Sequence, residues 1–137
     1  MTVQLNHTIV WSSERKKAAR FLAEILGLAA PVPFGPFETV QLANGVTMDF
    51  ADSEAPIQPQ HYAFLIGEAE FDAIFARIRE RELSHWADPA RRRASEINRN
   101  DGGRGVYFEG PDGHFLEIIT RPYGSAGRTF QVKSDIS

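Results

Sequence analysis

What most constrains the fold of this chain is a pattern that runs through it twice. In each half a strand-like segment leads into an amphipathic helix and then into strands that close in a hairpin. In the first half, residues 3–11 place Val3, Leu5, His7, Ile9 and Trp11 on one face and Gln4, Asn6, Thr8 and Val10 on the other, the period of a strand. Ser12 or Ser13 can cap a helix whose first turn carries Glu14, and Ala18, Phe21, Leu22, Ile25 and Leu28 then recur at helical spacing up to the stop at Gly27. Pro31, Pro33, Gly35 and Pro36 mark a loop. Residues 37–42 and 46–51 read as strands joined by Ala43-Asn44-Gly45, and 52–59 as a linker.

The second half repeats this order. Residues 60–66 form a strand with His61, Ala63 and Leu65 on one face, and 68–82 a helix carrying Phe71, Ile74, Phe75 and Ile78. A short strand is expected at 83–86 and a long arginine-rich loop at 88–103. Residues 106–109 and 114–120 make the closing hairpin, and 124–137 a tail.

The halves also align residue by residue. Asp49 stands four residues after the glycine of Asn44-Gly45, and Glu117 four after the glycine of Asp112-Gly113. His7 and His61 each lie in the first strand of their half. The duplication pairs histidine with histidine and carboxylate with carboxylate at matching structural positions, so the four are to be read together. Glu117 sharpens the point, because it interrupts the apolar run Phe115-Leu-Glu-Ile-Ile119. A carboxylate buried there loses hydration worth several kcal/mol unless a metal or a paired cation compensates.

Two histidines and a carboxylate are a donor set for divalent iron, manganese, zinc or nickel, and strands hold such donors rigidly. Taken singly, each residue has an ordinary reading. Either histidine can be a hydrogen-bonded structural residue, Glu117 a salt-bridge partner of Arg104 or Arg121, and Asp49 a strand-end carboxylate. The duplication correlates them and favours the metal reading. Asp49, one methylene shorter than glutamate, is expected to ligate through water or to support a ligand from behind.

Composition excludes several alternatives. With no cysteine among 137 residues there are no disulfides, thiolate nucleophiles or sulfur-ligated metals. No apolar run approaches the ~18 residues of a membrane span, and the N-terminus shows no secretion signal, so a cytoplasmic protein is expected. The net charge of −3 argues against a nucleic-acid partner.

The segments Leu5-Asn-His7, Gln60-His61-Tyr-Ala-Phe64 and Val106-Tyr-Phe-Glu-Gly-Pro-Asp-Gly-His-Phe-Leu-Glu117 resemble the vicinal oxygen chelate superfamily. That superfamily includes glyoxalase I, extradiol dioxygenases, fosfomycin resistance enzymes and bleomycin resistance proteins. The resemblance implies an α+β fold of two tandem βαβββ modules, about 1–53 and 58–125, within a single domain 1–125 followed by a tail at 126–137. The strands would curl as a mixed sheet into an open cup around one divalent metal (iron, manganese, nickel or zinc) held by His7, His61 and Glu117. Asp49 stands where glyoxalase I has a glutamate, and Glu117, Asp49 and Tyr107 form the implied catalytic set.

Arg104, Arg121, Asn100 and Trp11 are the candidate substrate contacts, with Asn98 and Tyr123 beside them. Arg121 either binds an anionic substrate or neutralises Glu117, and Trp11 either walls the cup or joins the core, the simpler expectation. Arg91-Arg92-Arg93 reads as a solvated loop face, and His114 as facing solvent. Homodimers are implied, with sites near the subunit interface where His7 and Asp49 of one chain meet His61 and Glu117 of the other. The implied function is a metal-dependent dioxygenase, or a glyoxalase-type lyase or isomerase, acting on a small substrate through two neighbouring oxygens. The alternative is a metal-free antibiotic-sequestering protein of the bleomycin resistance type. Without a recognisable potassium loop or basic phosphonate cradle, the fosfomycin transferase option is weaker.

Overall fold

The computed structural model describes residues 2–127, so the tail expected at 126–137 lies outside the described residues from 128 onward. These residues form two compact units, one reaching to Gln60 and including Gly110–His114, the other comprising His61–Glu109 and the chain from Phe115.

The first unit runs β1 (His7–Ser12), α1 (Arg15–Leu26), β2 (Val32–Phe34), β3 (Phe37–Gln41) and β4 (Thr47–Asp52). Its sheet has the order β1-β4-β3-β2, with β1 parallel to β4 and the other pairings antiparallel. The second unit runs β5 (His61–Leu65), α2 (Glu68–Glu80), β6 (His85–Trp86), a 3-10 turn (Asn100–Gly102), β7 (Gly105–Glu109) and β8 (Phe115–Ile119). Its sheet has the matching order β5-β8-β7-β6, with β5 parallel to β8. Each unit is thus a βαβββ module with a four-stranded mixed sheet, and the class is α+β.

The duplication extends to register. His7 pairs with Thr47 and Ile9 with Asp49; correspondingly, His61 pairs with Phe115 and Ala63 with Glu117. Each histidine therefore sits two residues before the partner of its module's carboxylate, on the same sheet face. The preceding turns are also alike. Gly45 and Gly113 both have φ of 84°, in the left-handed region that favours glycine. The Leu42 N–H bonds Val46 O at 2.8 Å in one turn, and the Gly110 N–H bonds His114 O at 2.9 Å in the other.

Helix α1 buries Ala18, Ala19, Leu22, Ala23 and Ile25, whereas α2 buries the bulkier Phe71, Ile74 and Ile78. Burial of each large side chain contributes about 1.5–3 kcal/mol. In the second unit Val106, Phe108, Leu116 and Ile118 add to the core, alternating with the residues of the opposite sheet face. The start of α1 is satisfied by tertiary contacts. Asp52 accepts the Arg15 N–H at 2.7 Å and pairs with the Arg15 guanidinium, while Asp112 accepts the Ser13 N–H at 3.0 Å and its hydroxyl at 2.7 Å. Ser12, one of the expected caps, is instead a buried residue of β1 whose hydroxyl donates to Ala51 O at 3.2 Å.

The proline-rich stretch expected to be a loop contains the strand β2. It lies at a sheet edge, where Pro33 forfeits no ladder bond that a central strand would need. Among the described residues no helix is long and apolar enough to cross a membrane.

Candidate metal and substrate site

In the second unit, β8 carries Glu117 between β5 and β7, with Ala63 and Tyr107 as its neighbours in register. Glu117 is 1% exposed. A buried carboxylate needs partners, and it finds them. Its Oε1 lies 3.0 Å from His61 Nε2, and its Oε2 accepts a hydrogen bond from the Tyr123 hydroxyl. Neither Arg104 nor Arg121, the two cations the sequence offered as salt-bridge partners, holds it.

The His61 ring is oriented from behind, its Nδ1–H donating to Phe115 O at 3.0 Å. In that tautomer a neutral ring turns the Nε2 lone pair toward a carboxylate oxygen, so two acceptors face each other at 3.0 Å. A proton or a cation between them resolves the clash. A divalent ion fits this spacing: two donors each about 2.1 Å from one ion, at a right angle, lie about 3.0 Å apart. A carbonyl fixing Nδ1 while Nε2 faces the ion is the usual arrangement behind a metal-ligating histidine.

Around this pair stands an aromatic layer. Tyr107 stacks on His61 with centroids 5.9 Å apart, and on Phe115 at 5.3 Å. Trp86, in register with Tyr107, packs on Phe115 at 6.0 Å. The Tyr107 hydroxyl lies 2.9 Å from that of Tyr123. Burial, first of all, pushes the Tyr107 hydroxyl up to about 12, with the Glu117 charge adding to it. Tyr123 is pushed up further, again first by burial and then by its bond to Glu117. Both tyrosines are therefore protonated donors at neutral pH.

In the first unit, the equivalent sheet face lines a concavity of about 610 Å³. His7, Thr39 and Asp49 stand in it among Ile9, Val32, Phe34 and Phe37, and among the described residues no lysine or arginine lines it. Here histidine and carboxylate have separate partners. His7 Nδ1 lies 2.7 Å from Asn6 Oδ1, and Asp49 accepts from the Thr39 hydroxyl at 3.1 Å. Within neither unit do three or more histidine, aspartate or glutamate donors cluster among the described residues.

The other expected residues take the following places. Arg104, expected to contact substrate, is turned onto α2. It bonds Glu68 and Asp72 at 2.8 Å each and lies 4.4 Å above the Phe71 ring, so its charge is already spent. Arg121 is exposed and reaches Ser125 at 3.4 Å. Asn100 is exposed on the 3-10 turn and bonds locally, its N–H to Asn98 Oδ1 at 3.2 Å. Asn98 itself is buried, with its amide donating to Ala87 O at 2.8 Å. Trp11 is 51% exposed rather than core. It shares the face of His7 on an edge strand, which α1 does not cover.

His114 is 6% exposed rather than solvent-facing. Its Nδ1 accepts the Gln60 N–H at 3.0 Å and its Nε2–H donates to Trp11 O at 2.8 Å. Arg91, Arg92 and Arg93 are exposed on their loop as expected; Arg91 also lies 4.7 Å above Trp86 and 4.4 Å above Phe115 and pairs with Glu109. No periodicity reveals Arg91, because it stacks from a loop with φ of 59°. Tyr123, whose contact with Glu117 comes from a turn beyond β8, was legible only as a neighbour of that strand.

Comparison with known proteins gives the family. The metallothiol transferase FosB of Shouchella clausii is 32% identical over 124 residues, covering 85% of this chain and 79% of that protein. The solved structure of the oxidase ChaP-H1 is 66% identical with a TM-score of 0.89, covering 90% of this chain and 99% of that one. The oxidase ChaP-H2 is 62% identical with a TM-score of 0.90, over 93% and 100%. No protein-family model matches the chain. At the level of fold, the fosfomycin resistance protein FosX of Listeria monocytogenes, solved in complex with Mn(II), superposes with a TM-score of 0.68 at 19% identity, over 92% of this chain and 96% of that one. The chain belongs to the vicinal oxygen chelate superfamily.

Proposed function

We propose that the protein is a divalent-metal-dependent oxidase or dioxygenase whose small substrate presents two neighbouring oxygens to the ion. The observation that carries this reading is the His61–Glu117 pair, a fixed imidazole nitrogen and a buried carboxylate oxygen at a spacing that two ligands of one ion at a right angle can share. His7 is the third donor, its position supported by the shared register of the two modules. The redox assignment is supported by the two oxidases at 66% and 62% identity, and by the fit of two histidines and one carboxylate to non-haem iron.

When bound, the ion supplies Lewis-acid stabilisation of charge on two adjacent substrate oxygens and, if it is iron, access to dioxygen chemistry. The chain's own residues do the rest. Glu117 offsets the ion's charge in a dry setting. Phe115 and Tyr107 give flat apolar support for a planar substrate beside the His61–Glu117 pair. Asp49, whose carboxylate accepts the Thr39 hydroxyl, supports the site from behind; its shorter side chain and that hydrogen bond favour this role. The working form is a homodimer in the cytoplasm, with sites near the subunit interface and no nucleic-acid partner.

The test is to strip the protein with chelator, restore Fe(II), Mn(II), Ni(II) or Zn(II) singly, and follow oxygen uptake with vicinal dihydroxyarenes beside His61→Ala. Activity with one ion, absent from His61→Ala, is the expected result. Ligand affinity unchanged by chelation, with no metal-dependent turnover, would leave the sequestering reading instead. For the dimer, mixing His7→Ala with Glu117→Ala protein should restore a fraction of intact sites. No recovery after verified subunit exchange would place each site within one chain.

A further inference from the structure

The two oxygens of Glu117 have different fates. Oε1 faces His61 at 3.0 Å, while Oε2 accepts the Tyr123 hydroxyl proton. Tyr123 has one proton, so in the 2.9 Å contact with Tyr107 it is Tyr107 that donates. Two donors in series thus end on one carboxylate oxygen, and both belong to half-buried or buried rings. A carboxylate that grips an ion through both oxygens fills two coordination positions; gripping through one leaves another position open. A substrate that binds through two neighbouring oxygens needs that position.

We infer that Tyr123 is a positioning residue that reserves Oε2, so that Glu117 serves as a one-oxygen ligand through Oε1 and a coordination position stays free for the second substrate oxygen. The inference rests on the metal reading above. It concerns a residue outside the donor set, and the first module has nothing like it: the residue six beyond Asp49 is Ala55, where Tyr123 is six beyond Glu117. Asp49 takes its hydrogen bond from Thr39 on the neighbouring strand instead. Tyr123→Phe keeps the ring and removes the hydroxyl, and with it the proton that occupies Oε2 and the acceptor of the Tyr107 proton.

The test uses the full chain with Mn(II) alone as the probe, then with 4-nitrocatechol as a bidentate oxygen ligand for the Mn(II)-loaded protein. Free Mn(II) is read by its paramagnetic resonance signal and bound water by proton relaxation. Tyr123→Phe should bind Mn(II) as tightly as the parent or more so, with about one fewer bound water. Its affinity for 4-nitrocatechol should fall roughly tenfold or more. Tyr123→His, which retains an N–H donor, should recover both properties. A folded Tyr123→Phe protein with unchanged hydration and unchanged 4-nitrocatechol affinity would overturn the inference while leaving the metal reading intact. A parent protein that binds no Mn(II) would overturn both.

If Tyr123→Phe does not fold, the parent protein suffices. The infrared carboxylate bands that shift on Mn(II) binding, and that are missing from Glu117→Gln, should show the wide splitting of a one-oxygen ligand. The narrow splitting of a two-oxygen ligand would overturn the inference.

Discussion

The two modules have the same plan and different contents. Both place a histidine two residues before the partner of a carboxylate, both reach that carboxylate through a glycine at φ of 84°, and both flank it with a third strand. In the second module the side chains are longer or larger at each step: Glu117 against Asp49, Tyr107 against Thr39, Trp86 against Val32. The outcome is that His61 meets Glu117, whereas His7 and Asp49 each turn to a local partner. The first module keeps its face open as a concavity, and the second fills its face with donors and rings. Duplication supplied the frame, and substitution made the faces differ: one is an open concavity beside His7 and Asp49, the other a packed layer of rings around the His61–Glu117 pair.

Breaking the carboxylates separately tests this division with the largest effect. Glu117→Ala should weaken metal binding on the order of 1,000-fold, while Asp49→Ala should cost about tenfold, as supporting residues do. Equal losses, measured by metal titration, would mean that the modules share the ligand role evenly.

The helices differ in the same sense. Phe71 of α2 is fully buried, and Phe71→Ala should destabilise by about 3–5 kcal/mol. Ala19 of α1 is equally buried, yet Ala19→Gly should cost only about 1 kcal/mol. Urea melts of the two variants check the ordering.

The residue after the turn glycine sharpens the comparison further. It is Val46 in the first module and His114 in the second, both buried. His114→Val gives the second module the residue of the first, and leaves the Gln60 N–H and Trp11 O without their partner. A loss of about 1–3 kcal/mol is expected.

The smallest effect is on acid stability. Asp52 in the first module is held below the ordinary carboxylate range chiefly by the Arg15 N–H. In the second, Glu68 is held down first by a bond from Thr120 and then by Arg104, and Asp72 by Arg104. Because the folded values are depressed, the stabilisation is complete above the ordinary range and is lost as pH falls through the folded values. Arg104→Ala should therefore flatten the acid side of the stability profile slightly, and leave the neutral side of its slope unchanged.

Much of this was legible in the chain. Period-two alternation placed His7, His61 and Glu117 on strand faces, and the Asn44-Gly45 and Asp112-Gly113 turns set their register, because both signals are local. The misses are contacts made across sequence. Arg104 finds Glu68 and Asp72 on α2, more than thirty residues away. Arg91 stacks on Phe115 from an aperiodic loop, and His114 reaches Trp11 from the other end of the chain. Strand β2 was hidden because three residues containing Pro33 have loop composition, and only pairing with β3 makes them a strand. Trp11 was expected in the core because it is large and apolar. Its edge strand leaves that face uncovered, so burial there depends on tertiary context that no window of sequence contains.

The central claim is that two like-built modules provide a single ion site. Metal stoichiometry tests it most directly, measured by elemental analysis of protein purified without an affinity tag, beside His7→Ala and His61→Ala. One ion per chain, lost from both variants, is the predicted result. Two ions per chain, or an ion retained by His61→Ala, would contradict the account by showing that the modules bind independently or that the His61–Glu117 pair holds no metal.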